Sequence, residues 1–270
     1  MQGPLPTDVG TLGLRAGNVK RRAAIDMTLV GRSALITGAS AGIGLAIAQR
    51  LGEAGARLAI TARGETALAE AERGLAEAGI EVLAQAADVA DPKAVARLIH
   101  AVRARFGGID ILVCNAGVNP HRGRSILATE LADWDSIMAV NLRGVFVCLK
   151  HVVPLMQRSG RGWIITIGSI GSRVIPDGAN CAYRASKFGL RGLTWSLAKA
   201  LRNHNIAVCS ILPGSTHTAM TGDGETDGYL DPRDVAEVAT FVAQLDPRIV
   251  VPEITVSPRV DIGGPLCPYS

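Results

Sequence analysis

The chain has 270 residues, of which 48% are hydrophobic, and its formal net charge at pH 7 is +4. This apolar content excludes a disordered chain, and the mild charge indicates neither a nucleic acid nor a membrane surface as partner. Five cysteines without a C-x-x-C pair predict neither a disulfide framework nor a metal site, so a reducing, cytoplasmic setting is expected.

The N-terminal segment, residues 1–30, contains glycine and proline without periodicity, which predicts a disordered basic extension. Its basic cluster at residues 20–22 could bind nucleic acid or belong to an export signal, but the apolar stretch of an export signal does not follow. We interpret this extension as a solvated tail. One domain is expected over residues 31–260, followed by a short tail at 261–270.

From Ser33 onward, apolar runs with strand character alternate with segments of helical spacing. Strands are predicted at residues 33–36, 57–61, 81–87, 110–113, 163–167, 206–212 and 253–257. Helices are predicted at residues 43–54, 65–78, from 91 onward, 131–157, 182–203 and 232–245. This alternation predicts an α/β fold with a single Rossmann-type, doubly wound parallel sheet and helices on both faces.

The turn between the first strand and the first helix has the sequence TGASAGIG, residues 37–44. Glycines let the backbone turn sharply and approach a pyrophosphate, and free N–H groups at the start of a helix favour its negative charge. The turn is therefore predicted to bind a dinucleotide. The predicted contacts are Gly38, Ser40, Ala41, Gly42, Ile43 and Gly44.

Tyr183 and Lys187 are four residues apart, so they share one face of the predicted helix. A tyrosine with a pKa of about 10 is a poor acid or base at neutral pH unless a cation lies beside it, and the Lys187 ammonium can lower this pKa. Ser169, at the carboxyl end of the fifth strand, can donate a hydrogen bond to a substrate oxygen. Reduction of a carbonyl by hydride needs such a proton donor and such a donor to the developing alkoxide.

Together these motifs resemble those of the short-chain dehydrogenase/reductase family over about residues 31–259. The glycine turn matches TGxxxGxG, residues 183–187 match YxxxK, and CNAG at 114–117 matches NNAG with Cys114 in place of the first Asn. Asn141, in the sequence VNLRG, stands where the family has its catalytic Asn. The resemblance implies that Lys187 also holds the nicotinamide ribose and that Asn141 positions a water in a proton relay.

One spacing departs from the family pattern, because Ser169 lies one residue farther from Tyr183 than is common. Ser172 is the other candidate, but it lies beyond the strand, so we assign Ser169 and expect a slightly longer loop. Further cofactor contacts implied by the resemblance follow the third, fourth and sixth strands. They are Asp88, Val89, Asn115, Ala116, Gly117, Pro213, Gly214, Thr216 and Thr218, in addition to Tyr183 and Lys187.

The choice of coenzyme depends on the end of the second strand, where an NAD enzyme places an acidic residue for the ribose hydroxyl. Here Ala62 occupies that position and is followed by Arg63, which can pair with a 2′-phosphate. Glu65 is the alternative ribose ligand, although it is expected in the first turn of the next helix. We predict NADP(H) over NAD(H).

The resemblance implies an enzyme that interconverts a carbonyl and a secondary alcohol of a small molecule, as a 3-oxoacyl reductase or a general ketone reductase does. An NAD(H)-dependent alcohol or sugar-alcohol dehydrogenase is the alternative. A binding protein that only senses the dinucleotide would lose Tyr183 or Lys187, and this chain keeps both. The segment at residues 215–229, rich in glycine and acidic residues, is expected to form a mobile lid over the substrate.

A homodimer or homotetramer is also expected, and a nucleic acid, a membrane or a metal is not. The two long predicted helices would cover one face of the sheet, with apolar side chains facing outward. These side chains are Val147, Leu193, Trp195 and Leu197.

Overall fold

In the computed structural model, which describes residues 28–175, 179–222 and 228–259, seven strands form one parallel sheet. The strands are β1 (Ser33–Thr37), β2 (Arg57–Thr61), β3 (Val82–Ala84), β4 (Ile111–Cys114), β5 (Gly162–Ile167), β6 (Ile206–Pro213) and β7 (Glu253–Val256). The helices are α1 (Gly42–Glu53), α2 (Glu65–Glu77), α3 (Pro92–Phe106), α4 (Leu131–Met138), α5 (Val145–Ser159), α6 (Cys181–Leu201) and α7 (Pro232–Gln244). The prediction of a doubly wound parallel sheet is confirmed.

Two apolar layers cover the sheet. One packs against α1, α2 and α7, and the other packs against α3, α5 and α6. In β1, Ala34 and Ile36 belong to the first layer and Leu35 belongs to the second, because successive side chains of a strand point to opposite faces. This burial on both faces explains why the strands are continuous apolar runs in the sequence.

The strand order is β3-β2-β1-β4-β5-β6-β7, so the direction of winding reverses at β1. Crossovers leave β1 and β4 in opposite directions and open a crevice at the carboxyl ends of these two strands. The glycine turn follows β1 and the CNAG sequence ends β4, which places both motifs at this crevice.

The segment predicted as one helix over residues 131–157 is interrupted. After α4, a π-helical turn spans Ala139–Gly144, and α5 continues from Val145. A π turn changes the hydrogen-bond step, and the spacing of apolar residues carries no signal of it. At its end Gly144 lies so close to Val89 that a Cβ on the glycine would be 2.8 Å from Cγ2 of Val89. The π-helical turn therefore packs closely against the loop after β3.

By length and composition alone, the helical run Leu131–Ser159 could cross a membrane. Half of its most apolar window is buried inside the fold, however, and its residues belong to the second apolar layer. Within the described part of the chain this run is a core element of the α/β domain.

The structure differs from two predicted boundaries, the extent of β3 and the start of the folded domain. β3 is shorter than the predicted 81–87, although hydrogen bonds to the β2 segment continue as far as Ala87. Leu29 lies in the predicted N-terminal extension, yet it is fully buried and its N–H donates to the Ala54 carbonyl at 2.7 Å. The folded domain thus begins before residue 31. Residues 1–27 of the extension and the tail at 261–270 lie outside the described residues.

The prediction of four outward apolar side chains holds only in part. Val147 is 7% exposed and packs in the second apolar layer, so its assignment to the outer face is wrong. Leu193 and Leu197 are half-buried against the same layer. Trp195 is 50% exposed, and Phe146 and Phe188 join it on the surface.

Candidate active site

The glycine turn packs closely against the end of β4, and its glycine positions leave no room for side chains. Gly38 has a φ of +66°, and a Cβ there would lie 2.7 Å from Cα of Ala116. A Cβ on Gly44, in the first turn of α1, would lie 2.2 Å from the Gly38 carbonyl oxygen. The residue before α1, Ala41, offers no side-chain cap, so the first N–H groups of this helix keep their hydrogen-bonding capacity. A cradle of bare backbone at an uncapped helix start fits the pyrophosphate of a dinucleotide.

Asn115 and Thr37 lock this turn to β4. The Asn115 side-chain amide donates to the carbonyls of Thr37 at 3.0 Å and Gly38 at 2.9 Å. The N–H groups of Asn115 and Ala116 both donate to the Thr37 hydroxyl at 3.1 Å. Asn115 also lines the cleft, so its predicted contact with the cofactor stays a prediction, while both amide hydrogens of its side chain are used by the turn. Thr37 was missed as a functional side chain, although a threonine at the end of a buried strand was a visible signal.

Asn141 sits in the π-helical turn and is fully buried. Its side-chain oxygen accepts from the Val118 N–H at 2.8 Å, and its side-chain nitrogen donates to the Val118 carbonyl at 3.0 Å and to the Ser186 hydroxyl at 3.1 Å. Gly117 lies in front of it, since a Cβ there would be 3.5 Å from the Asn141 oxygen and 3.7 Å from Lys187 Nζ. Asn141 is therefore behind the wall of the cleft, and Ser186 is a partner that the sequence motifs did not single out.

Tyr183, Lys187 and Ser169 converge where α6 begins and β5 ends. Tyr183 hydrogen-bonds with the Ser169 side chain. Lys187 is 4% exposed, its Nζ donates to the Ile167 carbonyl at 2.8 Å, and Nζ lies 5.6 Å from the centroid of the Tyr183 ring. The three predicted residues thus form one cluster.

Burial sets the ionisation of this cluster. It raises the pKa of the Tyr183 phenol, while the hydrogen bond from Ser169 and the positive charge of Arg122 act in the opposite direction. Burial also lowers the pKa of Lys187 to about 8. That Lys187 lowers the pKa of Tyr183 stays a prediction. Because the ammonium is itself buried, its charged form is disfavoured, and removal from water dominates both groups.

The two serines that were candidates for the substrate oxygen, Ser169 and Ser172, differ in their contacts. Ser169 lines the cleft, and its hydroxyl accepts from the Gly171 N–H at 3.1 Å. Ser172 is fully buried and donates to the Ser169 carbonyl at 2.7 Å, so it supports the turn from behind. Residues 170–172 form a short 3-10 helix directly after Ser169.

At the opposite end of the cleft, Arg63 follows β2 and its side chain is exposed. Glu65 is the first residue of α2 and does not line the cleft. Asp88, which follows β3, lines the cleft, and its carboxylate accepts from the Ala90 N–H at 2.9 Å. Its neighbour Val89 is buried and also lines the cleft.

All these groups open onto one cleft of about 710 Å³. Every predicted site residue lines it except Gly44 and Asn141, which lie directly behind it. The loop after β6 contributes Pro213, Gly214, Thr216 and Thr218, and the middle of the predicted lid, residues 223–227, lies outside the described residues.

Two residues of the substrate end were missed. Asn180 precedes α6 with a φ of +58°, and its side-chain oxygen accepts from the Gly123 N–H at 2.7 Å. Arg122 reaches across to the loop after β6. A non-glycine residue with positive φ leaves no signal in a single sequence, whereas the arginine-rich loop was visible as such.

The chain is similar to known proteins over most of its length. The family model of the short chain dehydrogenases matches residues 32–227. The chain is 32% identical over 239 residues to the 3-oxoacyl-acyl-carrier-protein reductase FabG of Vibrio cholerae, covering 84% of this chain and 96% of that protein.

Two solved structures are similar in the same way. A metagenomic short-chain oxidoreductase in complex with NADP is 37% identical with a TM-score of 0.76, over 86% of this chain and 99% of that chain. A short chain dehydrogenase from Burkholderia cenocepacia in complex with NADP is 35% identical with a TM-score of 0.78, over 85% and 97% of the two chains. The cleft between the glycine turn and the tyrosine cluster is therefore the cleft of an oxidoreductase whose fold binds a nicotinamide dinucleotide. The chain belongs to the short-chain dehydrogenase family.

Proposed function

We propose that this chain is an NADP(H)-dependent oxidoreductase that interconverts a carbonyl and a secondary alcohol. One observation carries the proposal. A single cleft joins the glycine turn and Arg63 at one end to Ser169, Tyr183 and Lys187 at the other. A dinucleotide held at the first end would present its nicotinamide to the second.

The coenzyme preference rests on Arg63. Its side chain lines the cleft after β2, and among the described residues no carboxylate forms an ion pair with it. Glu65, the rival ribose ligand, starts α2 and does not line the cleft. Both related structures named above are complexes with NADP. These observations favour a 2′-phosphate over a 2′-hydroxyl at this position.

The chemistry of the tyrosine cluster follows from its contacts. When bound, the reduced nicotinamide supplies a hydride to the carbonyl carbon and is oxidised. The π electron pair of the C=O bond passes to the oxygen, and Tyr183 gives this oxygen the proton of its hydroxyl. Ser169 donates a hydrogen bond to the same oxygen and stabilises its developing negative charge. In the oxidation of an alcohol, the same groups act in reverse.

Lys187 and Asn141 support the cluster from behind. Lys187 carries its charge close to the Tyr183 ring and would hold the nicotinamide ribose, as the family resemblance implies. Both amide hydrogens of Asn141 are used by Val118 and Ser186, and its side-chain oxygen accepts from the Val118 N–H, so its role in a water relay is implied by the family resemblance alone.

We also propose a homodimer or homotetramer, which is supported by the exposed aromatic side chains Phe146, Phe188 and Trp195. The proposed compartment is the cytoplasm. The four described cysteines are free thiols, which is typical of a reducing setting.

The test is oxidation of NADPH and of NADH by the purified chain with a panel of ketones, aldehydes and 3-oxoacyl thioesters. We expect oxidation that depends on the carbonyl compound and is faster with NADPH at subsaturating coenzyme. If no carbonyl compound supports oxidation, and no alcohol supports the reverse reaction, the proposal is wrong. Preference for NADH would overturn its coenzyme part alone.

A further inference from the structure

The cleft carries more positive charge than the proposed reaction uses. Four basic side chains and one acidic side chain line it: Arg63, Arg122, Arg184 and Lys187 against Asp88. Arg63 and Asp88 belong to the end near β2 and β3, where the coenzyme phosphate is proposed to bind. Lys187 donates to the Ile167 carbonyl beneath the tyrosine. Arg184 has a partner of its own, and the charge of Arg122 is assigned no role in coenzyme binding.

Arg122 spans the substrate end of the cleft. It belongs to the loop after β4, and its Nη1 donates to the Thr221 carbonyl, in the loop after β6, at 3.2 Å. Thr221 is itself fixed, because its N–H donates to the Thr218 carbonyl at 2.9 Å and its hydroxyl donates to the Thr216 carbonyl at 3.0 Å. The guanidinium is thus anchored on a defined turn.

The guanidinium of Arg122 has N–H donors that remain available to a ligand. A guanidinium has five N–H donors, and within the described ranges Arg122 uses one of them and pairs with no carboxylate. Arg124, two residues along the same loop, pairs with Asp133 at 3.3 Å. The positive charge of Arg122 also reaches the Tyr183 phenol, whose pKa it acts to lower. Arg122 and Tyr183 line the same cleft, so an anion bound at Arg122 would share this cleft with the proton donor.

We infer that Arg122 binds a carboxylate of the substrate, so that the preferred substrates are short oxo acids, which carry the carboxylate a few bonds from the reacting carbonyl. This inference rests on the proposed function and names the substrate class of the same site. A guanidinium and a carboxylate form paired, charge-assisted hydrogen bonds, which also fix the orientation of the ligand. The neighbouring side chains Val174, Ala219 and Met220 also line the cleft and suit a short aliphatic chain.

The test compares acids with their amides, which have nearly the same shape without the charge. Reduction of a 2-oxo, a 3-oxo and a 4-oxo acid (pyruvate, acetoacetate and levulinate) is measured against reduction of the corresponding amides. We expect the wild type to prefer at least one acid over its amide by about 10- to 150-fold in kcat/KM, the range of one charge-assisted pair.

Three variants distinguish loss of carboxylate recognition from a general loss of activity. Arg122→Gln should bring the ratio of acid to amide close to 1 while the amide is still reduced, and Arg122→Lys should restore part of the preference. Arg124→Gln removes the same charge from the same loop, but its side chain does not line the cleft, so the ratio should be kept.

The inference is overturned if the wild type reduces neutral ketones and amides but prefers none of the three acids, a result that leaves the proposed function intact. It is also overturned if Arg122→Gln leaves the preference unchanged. If neither the acids nor any neutral carbonyl compound is reduced, the proposed function fails and the inference fails with it.

Discussion

Arg63 is the single side chain on which the proposed coenzyme preference depends. It lies at the cleft after β2, where Ala62 offers neither an acceptor for a ribose hydroxyl nor a charge that repels a phosphate. A charge-assisted pair of this kind contributes about 1.5–3 kcal/mol, or about 10- to 150-fold in affinity. We predict that Arg63→Ala weakens NADPH binding by this factor and leaves NADH binding nearly unchanged, as measured by quenching of protein fluorescence.

The reciprocal change is a control for this residue. Ala62→Asp together with Arg63→Ala should reverse the preference towards NADH, because the new carboxylate accepts from a ribose hydroxyl and repels a phosphate. If the wild type binds NADH more tightly, or if Arg63→Ala weakens both coenzymes equally, the assignment of Arg63 is wrong and Glu65 becomes the candidate.

Lys187 should make stability depend on pH. Burial lowers its pKa from 10.5 to about 8, so the folded state binds this proton less tightly than the unfolded state does. The buried ammonium therefore costs stability below pH 8, and the cost disappears as the pH rises from about 8 to 10.5. Over that interval the change amounts to about 3 kcal/mol at about 1.36 kcal/mol per pH unit.

Urea unfolding of the wild type and of Lys187→Met at pH 7 and pH 10 tests this prediction. Loss of the hydrogen bond to Ile167 changes the free energy of unfolding by the same amount at both pH values. The pH-dependent part should shift the difference between the two proteins in favour of the wild type at pH 10, by up to about 3 kcal/mol. A difference that stays constant with pH would contradict it.

At the scale of the element, the start of α1 depends on a close approach of backbone. A Cβ on Gly44 would lie 2.2 Å from the Gly38 carbonyl oxygen, whereas a Cβ on Gly74, inside α2, would meet nothing within 4 Å. We predict that Gly44→Ala lowers the thermal midpoint and weakens NADPH binding at least tenfold, because the helix must move away from the turn.

Gly74→Ala is the matched control, since both glycines are helical and both changes add one methyl group. It should stabilise the protein by about 0.5–1 kcal/mol, the usual advantage of alanine over glycine in a helix, with NADPH binding unchanged. Equal effects of the two substitutions would show that the close approach to Gly38 is not what holds the turn.

The sequence predicted most of the elements because apolar runs and helical spacing report burial directly. It missed the π turn that carries Asn141, since the hydrogen-bond step of a helix leaves no mark on residue type. It also placed Val147 on the outer face, because the π turn changes which side chains of α5 point to the sheet.

At the scale of the whole molecule, the proposed assembly rests on the surface of α5 and α6. Phe146, Phe188 and Trp195 are 49%, 41% and 50% exposed, and exposed apolar surface often marks an interface where it is contiguous. We predict a dimer or tetramer by light scattering at micromolar concentration, and a shift towards monomer in Phe188→Glu. A monomeric mass for the wild type would contradict this prediction.

The sequence also predicted that motifs distant along the chain lie close together, because the carboxyl ends of parallel strands lie at one edge of a sheet. Contacts between loops were not predictable. The Asn115 amide on the Gly38 carbonyl and the Arg122 guanidinium on the Thr221 carbonyl depend on distances across the cleft that one sequence does not encode visibly. The ionisation of Tyr183 likewise depends on burial, which its spacing from Lys187 does not report.

The central claim is that Tyr183 gives its proton to the substrate oxygen while the coenzyme is held elsewhere in the cleft. The most direct measurement is the turnover of Tyr183→Phe with NADPH and the best ketone of the panel, together with the NADPH dissociation constant of the same variant. We predict that kcat falls by about 10²- to 10⁴-fold, the contribution of a positioned acid, and that NADPH binding changes less than about threefold. A variant that keeps more than about a tenth of the wild-type kcat would contradict the claim.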